Sequence, residues 1–339
     1  MRRLLLLILG VLLLVLSGCP EPTQDDDDAG DDDDTAGDDD TAGDDDTAGD
    51  DDTAGDDDDT GTSVTDTFTG GVQTALDLVI VVDDSGSMSS EQQDIASSLP
   101  SLVNSASTAV PDLQILVTSG GLAGAGVGTP AVMTTSTPNF GQELQSRTQV
   151  GTSGPSAQPL VHATWAAATP PLMAAGGTNE GLVRDGAALR YVIVSDGDDE
   201  SFATQSWTGS DYIAALIDVK RDPGAVVIHT VSGGASGCGG ADAAPELVAI
   251  ASATGGVDTS VCDGGWAAAV GSASNAWTGL VRSFALSVAP DAQTLQVTVD
   301  STPATTGWAY EAGWQAVVFE KAAAPEQGDA VVITYAPAP

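Results

Sequence analysis

The sequence predicts an α/β fold in three parts: a disordered acidic tether, a doubly wound and mostly parallel sheet, and a small antiparallel β extension. Between residues 72 and 288, short apolar runs alternate with helical patterns, which is typical of a parallel sheet with helices on both faces. Residues 289–339 contain alternating apolar runs flanked by Pro or Gly, which indicate antiparallel strands. Residues 19–68 are rich in Asp and have no large apolar side chain before Val64, which is typical of disorder.

The charge of the chain is strongly negative and unevenly distributed. The 339 residues include 49 acidic and 9 basic side chains, giving a formal net charge of −40. Such a chain repels nucleic acid and anionic lipid headgroups, because little in it can neutralise phosphate. Residues 21–60 alone hold 22 of the acids (Glu21 and 21 Asp) and no base. With only two His and three Cys, a multi-His centre or a four-Cys zinc site cannot form within one chain.

The first 18 residues have the pattern of a secretion signal. Two arginines precede an apolar run at residues 4–16, which is shorter than the roughly 20 residues that a membrane-spanning helix needs. Residues 16–19 (LSGC) resemble the bacterial lipobox, which implies cleavage before Cys19 and lipidation of its sulfur. Pro20 then favours the outer membrane, on its periplasmic or cell-surface face. An ordinary signal peptide with a chance Cys is the alternative.

The segment 19–68 is expected to be a spacer. It repeats Asp-Asp-Asp-Thr-Ala-Gly with a period of six and cannot bury enough surface to offset the entropy of ordering. Calcium binding of the EF-hand type is a second interpretation. It would require Asp at loop positions 1, 3 and 5 with Gly at 6, which the repeat does not supply.

The central domain, residues 72–288, is expected to alternate strands with helices. The apolar runs predict strands at 78–82, 113–118, 190–195 and 225–231, and helices near 90–107, 156–168, 209–220, 244–254 and 272–286. Pro100 should kink or split the first of these helices.

Acidic and hydroxyl side chains follow two of the predicted strands directly. Asp83, Ser85 and Ser87 come after the first strand, and Asp196 comes after the strand at 190–195. Ligands of doubly wound sheets bind beyond the carboxyl ends of the strands, where the strand order reverses. This all-oxygen set suits a hard divalent cation: Mg²⁺ above all, and less exclusively Ca²⁺ or Mn²⁺.

These motifs resemble the von Willebrand factor type A (vWA) domain over residues 72–288. The resemblance rests on Asp83-x-Ser85-x-Ser87 after a Val-rich strand and on Val-Ser-Asp196-Gly. It implies a metal-ion-dependent adhesion site (MIDAS), in which both Ser hydroxyls ligate the ion and both Asp bind it directly or through water. The chain also resembles secreted delta-proteobacterial lipoproteins of this class. Turn and helix-cap chemistry is the alternative explanation of the Asp-Ser motif.

A Thr from an intervening loop completes the family's ligand set, and two loops offer one. Thr178 lies in Gly-Gly-Thr-Asn but is only 18 residues before Asp196, too few for a helix, a loop and a strand. Thr152 and Ser153 lie about 40 residues upstream of Asp196 and are favoured here. The acids at 198–200 are expected to form a solvated loop. The alternative is that they contact and orient the ligands of the metal site.

The resemblance implies binding, not catalysis. An open coordination position on the ion would accept a carboxylate from a protein partner, so binding would depend on metal. A metal-independent structural or scaffolding lipoprotein is the alternative. A hydrolase is less favoured, because His162 and His229 lie in apolar surroundings and are expected to be packed. The Gly-rich run at 121–128 lacks the following helix that a dinucleotide site needs.

With Cys19 assigned to lipid, Cys238 and Cys262 are left as a pair. In an exported protein these two are expected to form a disulfide. In the extension, Trp308, Tyr310 and Trp314 are expected to fill its join to the central domain.

Overall fold

The computed structural model of the protein describes residues 63–263 and 279–339. The signal peptide, Cys19, the acidic repeat up to residue 62 and the predicted helical residues 272–278 lie outside these ranges. In the ranges described, no helix is both long enough and apolar enough to cross a bilayer.

The strands are β1 Val64–Thr69, β2 Ala75–Val82, β3 Asp112–Ser119, β4 Met133–Thr134, β5 Ala187–Val194, β6 Val226–Ser232, β7 Asp258–Ser260, β8 Ser283–Ala285, β9 Gln296–Val299, β10 Thr302–Pro303, β11 Trp308–Glu311, β12 Ala316–Phe319 and β13 Ala330–Tyr335. The helices are α1 Ser89–Ala109, α2 Phe140–Thr148, α3 Leu160–Ala167, α4 Ser201–Gln205, α5 Gly209–Lys220 and α6 Pro245–Thr254, with a 3₁₀ turn at Lys321–Ala323.

The central sheet has six strands in the order β4-β3-β2-β5-β6-β7. All neighbouring pairs are parallel except β3 and β4. The two central strands, β2 and β5, are buried along almost their whole length, which explains why their sequences are apolar apart from Asp77 and Arg190. The predicted mostly parallel sheet is confirmed.

Successive residues of β2 supply two hydrophobic cores, one on each face of the sheet. Leu78 and Ile80 pack in the core that includes residues of α1 and α2. Val79 and Val81 pack in the core that includes residues of α3, α5 and α6. Since side chains alternate along a strand, a strand covered by helices on both faces is apolar at nearly every position; the exception in β2 is Asp77, whose carboxylate accepts from Arg184.

Two helix boundaries differ from the sequence expectation. Helix α1 continues through Pro100 to Ala109, so the expected split does not occur. Helix α3 begins at Leu160, four residues later than expected. Gln158 precedes Pro159 and is therefore disfavoured in the helical region, and its carbonyl accepts from the Glu200 N–H at 3.0 Å instead.

The β extension draws strands from both ends of the described chain. Its two antiparallel sheets have the orders β1-β13-β9-β10 and β11-β12-β8. The extension was predicted to begin at residue 289 and the tether to end at 68, and both boundaries are corrected by this pairing. In β1, inward and outward residues alternate, and Phe68 contacts Phe284 of β8 with ring centroids 5.3 Å apart. Strand β8 also occupies part of the predicted helix at 272–286.

One of three predicted aromatic residues connects the extension to the central domain. The indole N–H of Trp314 donates to Asp218 of α5 at 2.9 Å. Trp308 and Tyr310 pack against the extension's own core instead.

The predicted disulfide between Cys238 and Cys262 is present, with 6.1 Å between the Cα atoms. It ties the loop after β6 to the residues that follow β7.

Candidate functional site

The candidate site lies where the order of the central strands reverses. From β2 the chain proceeds to β3 on one side, whereas β5 is followed by β6 and β7 on the other. Val82 and Val194 are paired at the carboxyl ends of β2 and β5. The next residues are Asp83 and Ser195, and the Asp83 N–H donates to the Val194 carbonyl at 2.9 Å. Two strand ends therefore deliver polar side chains to the switch point, where such sheets bind ligands.

Asp83 is held in one orientation by its neighbours. Its side chain is buried, its Oδ1 accepts from the Ser85 N–H at 2.7 Å, and its Oδ2 accepts from the Ser195 hydroxyl at 2.6 Å. The side-chain amide of Gln92 donates to the Asp83 carbonyl oxygen at 3.0 Å. A buried carboxylate needs such partners, and these fix where its oxygens point.

The two predicted Ser ligands lie between the two predicted Asp ligands. The Ser85 and Ser87 hydroxyl oxygens are 3.3 Å apart, and the Ser87 side chain hydrogen-bonds to the Asp196 carboxylate. Burial raises the pKa of Asp196; the Ser87 hydrogen bond lowers it, and the charges of Asp83 and Glu91 raise it. The structure thus brings together two carboxylates that repel each other and two hydroxyls.

The loop that carries Thr152 and Ser153 lies against this cluster. The Gln92 side chain clamps Gly151, donating to its carbonyl at 2.7 Å and accepting from its N–H at 3.2 Å. A Cβ added at Gly86 would lie 4.0 Å from the Thr152 carbonyl oxygen. Both Thr152 and Ser153 are exposed, so their hydroxyls are accessible at the edge of the site.

Thr178 lines a cavity of about 530 Å³ that contains none of the four predicted Asp and Ser ligands. Thr129, Pro130 and Glu180 also line this cavity. The next residue, Asn179, is buried; its amide donates to the Gly124 carbonyl at 2.8 Å, and its Oδ1 accepts from the Gly126 N–H at 2.9 Å. The Gly-Gly-Thr-Asn segment therefore holds the Gly-rich loop at 121–128.

Asp84 organises the loops around the site and was not singled out from the sequence. Its carboxylate accepts from the Ser119 hydroxyl at 3.0 Å and from the Gly121 N–H at 3.2 Å, and its carbonyl accepts from the Gly154 N–H at 2.8 Å. Added Cβ atoms at Gly121 and Gly154 would approach an Asp84 oxygen to 2.4 and 2.2 Å. Gly is required at both positions because Asp84 lies so close. This requirement could not be recognised in the sequence, because it arises only when the loops are in contact.

Asp198 and Asp199, two of the three acids expected in a solvated loop, cap helices instead, whereas Glu200 is exposed. The Asp198 carboxylate accepts from the N–H groups of Glu246 and Leu247, both at 3.3 Å, at the start of α6. Asp199 is 5% exposed and accepts from the Val161 N–H at 2.9 Å, at the start of α3, and from the Ser201 hydroxyl at 2.8 Å. Burial raises the pKa of Asp199 to about 6, although these hydrogen bonds lower it. The caps are distant in sequence, so no local capping pattern reveals them.

Neither histidine is placed like a general base. The Nδ1 atom of His162 lies 3.2 Å from the Tyr212 hydroxyl, and His229 is buried in β6 with its Nδ1 accepting from the Val257 N–H at 3.2 Å. Burial lowers the pKa of both, for His229 to about 4.

No protein-family model and no curated protein sequence matches the chain, whereas several solved structures do. Proximal thread matrix protein 1 from the mussel byssus, with a zinc-occupied MIDAS motif, is 14% identical over 64% of this chain and 49% of that chain, with a TM-score of 0.42. The pilus adhesin SpaC from Lactobacillus rhamnosus GG, in its open conformation, is 14% identical over 80% of this chain and 40% of that chain, with a TM-score of 0.39. The chain therefore spans less than half the length of either protein.

The residues of the cluster fit a divalent cation. Within residues 63–263 and 279–339, no group of three or more His, Cys, Asp or Glu side chains is placed to hold a metal ion. The cluster combines two carboxylates with hydroxyls instead, and oxygen ligands of this kind suit hard cations. The charge of Asp83 also raises the pKa of Asp196, and a cation between the two carboxylates would offset this repulsion.

Proposed function

We propose that the protein is a vWA-type binding domain that engages a protein partner through a divalent cation at the switch point. The observation that carries this proposal is the convergence of Asp83, Ser85, Ser87 and Asp196 from two adjacent strand ends. In this proposal those four side chains hold the ion, Mg²⁺ most readily, with Thr152 or Ser153 supplying a further hydroxyl.

Charge counting explains how such a site would bind a partner. Two carboxylates neutralise a divalent ion formally, and neutral hydroxyl ligands leave it electrophilic. When bound, the ion would supply a coordination position for a partner's Asp or Glu. Residues 61–339 carry a net charge of −20 (27 acidic and 7 basic side chains), so the rest of the partner's surface should not be broadly acidic.

We further propose that Cys19 anchors the domain to the outer membrane and that the acidic segment acts as a spacer. The lipobox at 16–19 supports the anchor. The repulsion between 22 acids in residues 21–60 supports an extended tether.

Metal binding is tested by thermal unfolding of the full chain in millimolar Mg²⁺, Ca²⁺ or Mn²⁺ and in chelator. We expect metal to raise the melting temperature, because the ion binds the folded state only. The Asp83→Ala/Asp196→Ala variant should lose this rise. Asp94→Ala removes an exposed acid from α1 and should keep it. An equal rise in the double variant would reject the metal site.

Partner binding is tested by capture from the cell envelope of the producing organism, in metal and in chelator. A protein retained by the wild type in metal, and lost both in chelator and with Asp83→Ala, is the expected result. If the same protein is captured in chelator and by the Asp83→Ala variant, the scaffolding alternative is favoured. The hydrogen bonds from Ser85 and Ser195 to Asp83 support that alternative, because they satisfy the carboxylate without an ion.

A further inference from the structure

Four aromatic rings form a closed cycle in the layer of helices α3 and α5. His162 and Trp165 belong to α3, Tyr212 belongs to α5, and Trp207 lies just before α5. Around the cycle, neighbouring ring centroids are 5.3, 5.2, 4.9 and 6.0 Å apart. These four residues line a cavity of about 120 Å³, which we call the aromatic cavity.

The rings around the aromatic cavity are uncharged near neutral pH. Burial lowers the pKa of His162, which keeps its imidazole neutral, and raises the pKa of Tyr212 to about 12, which keeps its phenol protonated. The faces of Trp and Tyr rings carry negative partial charge and attract cations. A volume of 120 Å³ corresponds to about four water molecules, which is close to a nitrogen carrying three methyl groups.

Trp207 also lines a larger apolar groove. Its volume is about 610 Å³, and Trp207 lines both spaces. Its walls come from α4, α5 and α6 and include the apolar side chains of Phe202, Ile213 and Ile250. Trp207 is 36% exposed, so a ligand can reach this side chain from solvent.

Acidic side chains lie near both spaces. Glu246 lines the groove, and its pKa is raised by burial and by the nearby charges of Asp198, Asp199 and Glu200. The pKa of Tyr212 is raised mainly by burial and further by the negative charge of Asp199. The local potential is therefore negative, which favours a cation and disfavours a carboxylate or phosphate ligand.

We propose that the aromatic cavity and the groove form a second binding site, which takes an alkylated ammonium cation. The ammonium head lies among the rings of Trp165, Trp207 and Tyr212, and its apolar stem follows the groove past Phe202. This site is separate from the metal cluster and goes beyond the adhesion function proposed above.

The test is calorimetric titration of the full chain with choline and with its neutral isostere 3,3-dimethylbutan-1-ol. Titrations in about 0.15 M salt weaken diffuse binding of cations to the acidic tether. We expect choline to bind saturably and the neutral isostere to bind at least about tenfold more weakly, because only the cation interacts with the ring faces. Hexyltrimethylammonium should bind several-fold more tightly than choline, because its stem buries apolar surface in the groove. Equal binding of choline and the neutral isostere would overturn the proposal.

Variants locate the site independently of the metal centre. Trp207→Leu, at a partly exposed position, should weaken choline binding about tenfold or more, and Glu246→Gln should weaken it several-fold. Trp314→Leu, on the extension, should bind choline like the wild type. Asp83→Ala and added chelator should leave choline binding unchanged, so failure of the metal site and failure of this site give different results. Wild-type affinity in Trp207→Leu would also overturn the proposal.

Discussion

Two pairs of aspartates, Asp83 with Asp196 and Asp198 with Asp199, have different surroundings in this protein. Asp83 and Asp196 face each other across the strand ends. The Ser87 hydrogen bond lowers the pKa of Asp196, and the charge of Asp83 raises it. Asp198 and Asp199 face the N-terminal N–H groups of α6 and α3 instead. Backbone donors at helix starts contact the second pair, whereas the Asp83 carboxylate accepts from the Ser85 N–H and the Ser195 hydroxyl. The number of acids in a loop therefore does not identify a metal site, but the donors around each acid do.

Removing the disulfide should have the largest effect on stability and should also disturb the Asp196 side of this comparison. The bridge closes a 24-residue separation, and loop-closure entropy gives about 3.5 kcal/mol for it. Its loop also donates the Asp242 N–H to the Asp196 carbonyl at 2.8 Å. We expect Cys238→Ser/Cys262→Ser to lower the free energy of unfolding by about that amount and to weaken metal binding. An unchanged midpoint in urea would contradict this prediction.

Asp199→Ala should reduce stability without changing metal affinity. It leaves the Val161 N–H and Ser201 without their buried acceptor, which costs about 2 kcal/mol. The pKa of Asp199 is raised from 3.8 to about 6 in the folded state, so the protonated carboxyl is the more stabilising form. Its contribution is fully present below pH 3.8 and declines as the pH rises through 6.

The loss in Asp199→Ala should therefore be larger at pH 5 than at pH 8, as measured by urea unfolding at both values. Asp94→Ala is the control, since it removes an exposed acid of α1. A metal affinity that falls with Asp199→Ala as far as with Asp196→Ala would erase the distinction between the two groups.

Gly154→Ala should shift the loop beside the site. The new Cβ would lie 2.2 Å from Asp84 Oδ1, and relieving such an overlap costs typically 1–3 kcal/mol. We expect lower stability together with weaker metal binding, because the same loop carries Thr152 and Ser153. Gly141→Ala in α2 meets nothing within 4 Å and should leave stability equal or slightly raised. Equal melting temperatures for the two variants would show that the loop adapts freely.

The smallest expected effect concerns the fifth ligand. Thr152→Ala combined with Ser153→Ala should weaken Mg²⁺ binding about tenfold, a loss of about 1.4 kcal/mol, measured by calorimetry. Thr178→Ala should have no effect, because Thr178 lines another cavity. The reverse result would assign the ligand to the Gly-Gly-Thr-Asn loop.

The sequence predicts the central sheet well because β2 and β5 are buried on both faces. Their apolar runs are continuous, and their neighbouring placement brings Asp83 close to Ser195 and Asp196. Thr178 was disfavoured because only 18 residues separate it from Asp196. Its position in a separate cavity is compatible with that argument.

Long-range partners were not predictable from the sequence. Nothing local in Asp198-Asp199 shows that α6 and α3 begin beside it. Likewise, β1 pairs with β13 across 269 residues at Thr65 and Thr334, so the end of the tether could not be located from composition alone. Val64 and Phe68 alternate with the exposed Thr65, Thr67 and Thr69, although Asp66 shares their face, and this alternation was the available signal for the strand.

Calorimetric titration of Mg²⁺ into the full chain, in about 0.15 M salt, tests the central claim most directly. We expect one saturable site per chain above the diffuse binding of the acidic tether. That site should be lost in Asp83→Ala/Asp196→Ala and kept in Asp198→Asn/Asp199→Asn. Both double variants retain the acidic tether, so its diffuse binding is the same in each. Identical isotherms for wild type and Asp83→Ala/Asp196→Ala would contradict it.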